Sequence, residues 1–194
     1  ISSRLAVEAP LFKEKGSFII AGRGSYAHLF LKAANEDYSV NFYDLNLKGN
    51  YSLNDNNKLY LSGYFGRDDM NFTDSFENSY GNLSGNLRWN HIFNDKLFLN
   101  VLGLYSNFDY HLGGDNFTWD SKIKDYSGKA DFEYIPNPRN KVKFGAQAIH
   151  HEFQPGKVSF QFGESRQSDS IQTAFAMEYG LYLSNEHKIT KRFS

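Results

Sequence analysis

The chain has 194 residues, a mass of 22.3 kDa and a formal net charge of -1, which suits one domain with a sizeable core. The balance of 21 basic and 22 acidic residues lacks the basic excess expected of a nucleic-acid-binding protein. The absence of cysteine excludes a disulfide scaffold, a cysteine zinc site and a cysteine nucleophile. Aromatic residues make up 17% of the chain and Pro only 4 residues, so the composition favours strands and turns over helices.

Hydropathy excludes a helical membrane protein. The mean hydropathy is -0.58, and no apolar run approaches the roughly 18 residues of a membrane helix. Hydropathy does not exclude a membrane barrel, because barrel strands alternate apolar and polar residues and their mean hydropathy is therefore polar. The sequence starts at Ile1 with neither an initiator Met nor a signal peptide, and we therefore expect a piece of a longer protein.

The first clear strand signal covers residues 42–53. Leu45 and Leu47 fall on one face, whereas Asn46 and Lys48 fall on the other. Alternation with a period of two over a dozen residues is typical of a strand with one apolar and one polar face.

The same pattern recurs along the chain. It predicts further strands at 58–67, 80–93, 97–110, 124–135, 142–153 and 171–184. Clusters of Asn, Asp and Pro predict tight turns at 54–57, 94–96, 136–140 and 185–188. Longer polar segments at 68–79, 111–123 and 154–170 are predicted to be loops at the opposite ends of the strands.

Short connections at one end and long ones at the other are typical of outer-membrane barrels. A strand of about 14 residues, tilted near 45°, rises roughly 33 Å, which matches a hydrocarbon core with its borders. We therefore predict an all-β fold: an antiparallel up-and-down meander of about nine long strands, with residues 1–194 forming one segment of a transmembrane β-barrel. The alternative, a soluble β-domain, would have shorter strands and more Val and Ile. Residues 97–105 are apolar on both faces, which leaves their lipid-facing side open.

Several segments resemble one known family. They are Glu8-Ala9-Pro10-Leu11 with Lys13-Glu14-Lys15, Ser17-Phe18-Ile19-Ile20-Ala21-Gly22-Arg23, and Leu87-Arg88-Trp89-Asn90-His91 with Phe93-Asn94-Asp95-Lys96. They resemble motifs of the TonB-dependent outer-membrane receptors of the Bacteroidetes type, and the likeness extends over most of the chain. Ala9 stands where the family usually has Gly.

The resemblance implies import of a nutrient (a glycan, a peptide or a metal chelate) across the bacterial outer membrane. The implied partners are outer-membrane lipid, the TonB complex acting through a plug domain, and a surface lipoprotein; no cofactor and no nucleic acid are implied. The family barrel normally has 22 strands and follows a plug domain. We find no plug domain in these residues and expect an incomplete barrel.

Candidate ligand contacts lie where strands enter the predicted loops. These residues are Tyr64, Arg67, Asp68, Asp69, Asp109, Tyr110, His111 and Trp119. Aromatic faces with flanking acids and an Arg suit sugars, peptides or chelates alike. The competing interpretation is an ordinary aromatic girdle beside solvated loop charges.

Other chemistry finds little support in the sequence. Adjacent residues of a strand point to opposite faces, so His150 and His151 cannot both bind one metal ion. A calcium loop starting at Asp115 would place Phe117 and Trp119 at ligand positions. No motif frames a catalytic serine, so we expect no enzyme. The main rival to the receptor is a self-contained small outer-membrane barrel with a structural or adhesive role.

Overall fold

The computed structural model describes residues 1–12, 15–36, 38–73, 76–163 and 165–189. The elements within them are β1 (Ser2–Leu11), β2 (Gly16–Ser25), α1 (Ala27–Ala33), β3 (Ser39–Asn54), β4 (Asn57–Thr73), β5 (Phe76–Asn94), β6 (Leu97–Gly114), β7 (Phe117–Asn137), β8 (Asn140–Phe162), β9 (Ser165–Ser170) and β10 (Ala174–His187).

All pairings are antiparallel, and each strand from β1 to β8 pairs with the next one along the chain. Both β9 and β10 pair with β8: β9 with its residues 157–162 and β10 with its residues 140–153. The two therefore occupy one position in the sheet, like a single interrupted strand. The predicted up-and-down meander of about nine long strands is confirmed. In the described residues the sheet is open, with β1 at one edge and β10 at the other.

The sheet is curved, and one cavity identifies its concave face. This cavity, of about 900 Å³, is lined by residues from β1 to β7, including Glu8, Lys48 and Lys129. Strands six positions apart can line one cavity only if the sheet curls around it. Directly paired residues of neighbouring strands lie on the same face, so the register assigns every other residue to the concave or the convex face.

The predicted division of residues between the faces is confirmed. Asn46 and Lys48 are concave, and Leu45 and Leu47 are convex. In β10, Glu178 lies 3.8 Å from the concave His151, whereas Leu181 and Leu183 belong to the convex set. The register also settles the segment that the sequence left open: Leu99 and Val101 are convex, and Leu102 and Leu104 are concave.

The convex side chains form a continuous apolar belt. It includes Leu45, Leu47, Leu61, Phe65, Leu87, Val101, Tyr105, Tyr126, Phe144, Leu181 and Leu183. Leu45, Leu61 and Leu87 keep 48%, 49% and 52% of their surface exposed. From Tyr43 to Leu53 on β3 the belt is roughly 23 Å tall for strands tilted near 45°.

Asparagine caps the turns at one end of the sheet, which we call the lower end. The Asn54 side-chain oxygen accepts a hydrogen bond from the backbone N–H of Asn56 at 3.0 Å. The Asn94 side-chain oxygen accepts one from the backbone N–H of Lys96 at 2.9 Å. Asn137 accepts from Arg139 at 3.0 Å in the third turn. This local hydrogen bond mimics a backbone turn and tightens the hairpin. The turns predicted at 54–57, 94–96 and 136–140 are confirmed.

The predicted long loops are wrong for the residues that the structure describes. The segments 68–73, 76–79, 111–114, 117–123 and 154–162 extend β4 to β8 as paired strands beyond the belt, and 165–170 form the separate strand β9. They look like loops because their convex side chains turn polar, but their backbone groups still pair across the hairpins. The turn predicted at 185–188 is also wrong, because β10 continues to His187, which pairs with Asn140 at the first position of β8.

A short helix, α1, fills the connection between β2 and β3, where no element was predicted. It contacts β3 and carries Lys32 in its last turn. Among the described residues, no helix has the length and apolarity needed to cross a membrane.

Candidate functional site

The eight candidate ligand contacts divide equally between the two faces of the sheet. The concave four are Tyr64, Asp68, Tyr110 and Trp119. The convex four are Arg67, Asp69, Asp109 and His111. The eight candidates therefore do not share one surface, because neighbouring residues such as Arg67 and Asp68 point to opposite sides of one strand.

The concave members belong to a row that crosses five strands above the belt. Phe42, Asp68, Tyr80, Tyr110 and Ser121 are successive cross-strand partners from β3 to β7. Four strand intervals separate the ends of the row, a width of about 19 Å. We call this row, together with Tyr64, Phe108 and Trp119 beside it, the concave wall.

Two glycines make room for the largest side chains of the concave wall. The Tyr64 ring lies over Gly66, in the space that a side chain at that position would fill. The Trp119 indole lies over Gly156 of β8, with Nε1 2.9 Å from the point where a Cβ would stand. The absence of a Cβ thus allows each ring to lie against the backbone of its glycine.

Five rings of the concave wall, all except Phe42, have no partner among the described residues. Tyr64, Tyr80, Phe108, Tyr110 and Trp119 make no ring contact and no side-chain hydrogen bond with any described residue. Convex rings behave differently: Tyr105 and Tyr126 lie 5.1 Å apart, and Phe132 stacks on Phe144 at 5.0 Å. The concave wall therefore offers unused aromatic faces and polar atoms.

The concave wall carries little positive charge. Arg23 Nε donates to Asp44 Oδ2 at 2.6 Å, and the guanidinium lies 5.0 Å from the Phe42 ring centre. Asp68 is the partner of Phe42 in the register. Burial raises the pKa of the Asp68 carboxyl. The positive charge of Arg23 lowers this pKa, whereas the neighbouring carboxylates of Asp69 and Asp44 raise it further.

The convex four belong to a separate charged cluster. Arg67 donates to Asp69 at 3.1 Å, to Asp109 at 3.2 Å and to Ser79 at 3.1 Å. The His111 ring contacts Glu77 at 2.9 Å and Asp120 at 2.5 Å. These contacts join β4, β5, β6 and β7 above the belt. Each exposed ion pair contributes little to the stability of the fold. We therefore regard this convex charged cluster as a polar border of the belt.

The convex charged cluster makes a testable prediction about His111. The hydrogen bond to Asp120 raises the pKa of His111 above its ordinary 6.5, and Glu77 adds to the effect. A raised folded-state pKa means that the stabilisation is fully present below about pH 6.5 and is lost as the pH rises through the folded-state pKa. We expect Asp120→Asn to lower the pKa of His111 in an NMR titration. Asp55→Asn, in a lower turn, is the control, and an equal effect of both variants would contradict the assignment.

The paired histidines point apart, as predicted. His151 is concave and lies 2.7 Å from Asp125, whereas His150 is convex, 3.2 Å from the Met177 sulfur and stacked on Phe175. No group of three or more His, Asp or Glu side chains among the described residues is placed to hold a metal ion.

Sequence reasoning missed Phe42, Tyr80 and Phe108 as members of the concave wall. Each lies an even number of residues from a polar concave position of its own strand, such as Lys48 or Asn86. They lie at or near the ends of the predicted strands 42–53, 80–93 and 97–110, and following the two-residue period to those ends would have found them.

Comparison with known proteins finds the fold among solved structures only. No family model matches the sequence, and no curated protein matches it significantly. BauA, the ferric preacinetobactin receptor from Acinetobacter baumannii, matches 95% of this chain at a TM-score of 0.64 and 11% identity. FyuA, the ferric yersiniabactin uptake receptor from Yersinia pestis, matches 98% at a TM-score of 0.60 and 11% identity. The chain has the antiparallel, up-and-down strand architecture of part of these receptors, and it covers 36% and 35% of their chains.

Proposed function

We propose that the chain forms part of the barrel of a TonB-dependent outer-membrane receptor that takes up a nutrient by binding it, without catalysing a reaction. In this proposal the apolar belt faces lipid, the lower turns lie in the periplasm, and the extended strands stand outside the cell. The ligand contacts the concave wall. The likeness to two receptor structures supports the barrel, and the sequence motifs support the TonB-dependent family of the Bacteroidetes type.

The observation that carries the proposal is an exchange of polarity between the faces. Within the belt the convex face is apolar, whereas the concave face carries groups such as Lys48 and Arg88. Above the belt the convex face carries the convex charged cluster, and the concave face carries the aromatic rings of the concave wall. A sheet that crosses lipid and then enters water is expected to change in this way, because only the convex face within the membrane meets hydrocarbon.

The concave floor at the level of the belt supports a protein partner inside the barrel. The side-chain oxygens of Asn90 and Asn100 are buried and have no hydrogen-bond partner among the described residues. The Nε of Arg88 is likewise buried and without a hydrogen-bond partner. Buried polar atoms without partners are costly, so a polar surface that fits against them is expected to stabilise them. In the proposed receptor this surface belongs to the plug domain through which the TonB complex acts.

Single-cysteine labelling tests the proposed orientation, because the chain has no cysteine of its own. We expect a membrane-impermeant maleimide on intact cells to label Asn116→Cys, in the turn between β6 and β7. Asp95→Cys in a lower turn should react only after the outer membrane is opened. Both positions are exposed turn residues, so each serves as the control for the other.

Labelling of Asp95→Cys on intact cells would reverse the topology and place the concave wall in the periplasm, which contradicts the uptake proposal. Equal labelling of both variants before and after permeabilisation would show that the chain does not cross the outer membrane.

A further inference from the structure

The chemistry of the concave wall points to one class of ligand. We infer that the wall binds a neutral saccharide chain; this inference rests on the uptake function proposed above and names its substrate class.

The first argument is the availability of aromatic faces. Tyr80 and Tyr110 are direct cross-strand partners, and neither ring contacts another ring in the described residues. The face of an aromatic ring is negative, and it attracts the weakly positive C–H groups that cover one side of a sugar ring. Rings that already stack on each other, such as Phe132 and Phe144 on the convex side, offer less surface to a ligand.

The second argument is the mixture of polar atoms among the rings. Tyr80 and Tyr110 carry hydroxyls that bind no described side chain, and Ser121 and Asp68 lie in the same row. Hydroxyls both donate and accept, whereas a carboxylate accepts two hydrogen bonds or more. Sugar hydroxyls need both kinds of partner at short intervals, and the row supplies them on neighbouring strands.

The third argument is the sign of the charge. Among the described strand residues above the belt, the cations Arg67, Lys122, Lys124 and Lys157 all lie on the convex face, and Lys32 lies on α1. Two concave cations lie at the level of Asp44: Arg23 is paired with Asp44, and its cross-strand partner Arg4 stands on the edge strand β1, three strand positions from Asp68 on β4. The carboxylate of Asp68 therefore faces the ligand without a free cation beside it. Such a surface disfavours an anionic chelate or an acidic peptide and accepts an uncharged ligand.

The shape of the concave wall suits a chain molecule. The row from Phe42 to Ser121 is about 19 Å wide, so several sugar rings fit side by side along it. Trp119 extends the aromatic surface by one further row, opposite Leu112.

Binding of fluorescent neutral hexasaccharides tests the inference. The probes are hexamers of glucose, xylose and mannose, and the protein is presented in outer-membrane vesicles from the cells that naturally produce it. We expect at least one probe to bind above the level of vesicles that lack the protein. Asp68→Asn and Tyr110→Ala should each weaken that binding about tenfold.

Matched controls lie one residue away on the opposite face. Asp69→Asn and Asp109→Asn change charges of the convex charged cluster and should leave saccharide binding within about twofold. Heat-modifiable migration on gels checks that each variant is folded, and Tyr110→Phe offers a milder change if Tyr110→Ala fails to fold.

Three outcomes overturn the inference: no hexamer binds; a hexamer binds equally well to the Asp68→Asn and Tyr110→Ala variants; or a ferric hydroxamate chelate binds and Asp68→Asn improves its binding. The cysteine labelling separates these failures from failure of the uptake proposal. If Asn116→Cys is labelled from outside the cell and any of these three outcomes is also found, the saccharide inference is overturned but the proposed receptor function is not.

Discussion

Leu47→Arg should destabilise the membrane-inserted sheet by roughly 2–4 kcal/mol, because it places a charge against hydrocarbon near the middle of the bilayer. Leu47 lies midway between Tyr43 and Leu53 on the convex face of β3, within the apolar belt. The measurement is the free energy of unfolding from lipid vesicles in a denaturant titration.

The matched control for this change is Asn46→Arg, one residue away. Asn46 is concave and lies next to Asp44, whose Oδ1 accepts from Asn46 Nδ2 at 3.3 Å. An arginine there meets a polar surface with a carboxylate, so the cost should be far smaller. Equal costs at 46 and 47 would show that the two faces are assigned wrongly or that lipid does not contact the belt.

The second large effect concerns transport. We expect the 194-residue chain by itself, reconstituted in liposomes, to give no solute uptake and no large conductance. The described sheet has two open edges, at β1 and β10. In hydrocarbon each unpaired N–H and C=O costs several kcal/mol, so these edges must pair before the sheet is stable in a bilayer. Closing so few strands on themselves would fill the interior with side chains such as Lys48 and Lys129.

Solute flux from liposomes and single-channel recording in planar bilayers measure this, with a porin as the positive control. A stable pore of porin-like conductance formed by the chain alone would contradict the prediction. It would favour the alternative function, a self-contained small outer-membrane barrel.

The sequence predicted the fold well because alternation is a strong signal wherever one face is apolar and the other polar. Residues such as Leu45 and Asn46 reveal the strand, its two faces and its period. The Asn-rich turns were also predictable, since Asn54, Asn94 and Asn137 can each accept a hydrogen bond from the turn backbone.

The faces on which the candidate residues lie were predictable only in part, and the wrong loop prediction has one physical origin. Above the belt the convex face becomes polar, so Arg67 and Asp69 share polarity with the concave Asp68 and the alternation fades. The sequence then looks like a loop, in which the direction of a side chain is unspecified. The backbone pairing that keeps these residues in strands depends on partners far along the chain, such as Tyr80 for Asp68.

The short strand β9 was also invisible in the sequence. β8 is long enough to pair with two short strands, and Ile171 N–H donates to the Gly156 carbonyl at 3.0 Å where β9 gives way to β10. A register irregularity lies in β8 near the same place, between the partners of Asp120 and Lys122. The β9 residues, Ser165–Ser170, are all polar, so no alternation marks them as a strand.

Building the concave wall on paired strands affects the thermodynamics of recognition. A flexible loop must become ordered when it closes on a ligand, and each immobilised side chain then costs about 0.5–1.5 kcal/mol. Here the backbone pairing of β4, β5, β6 and β7 already places Tyr80 and Tyr110 side by side on neighbouring strands. The backbone of the concave wall is thus preorganised, so binding of the proposed ligand would order side chains without also ordering a loop.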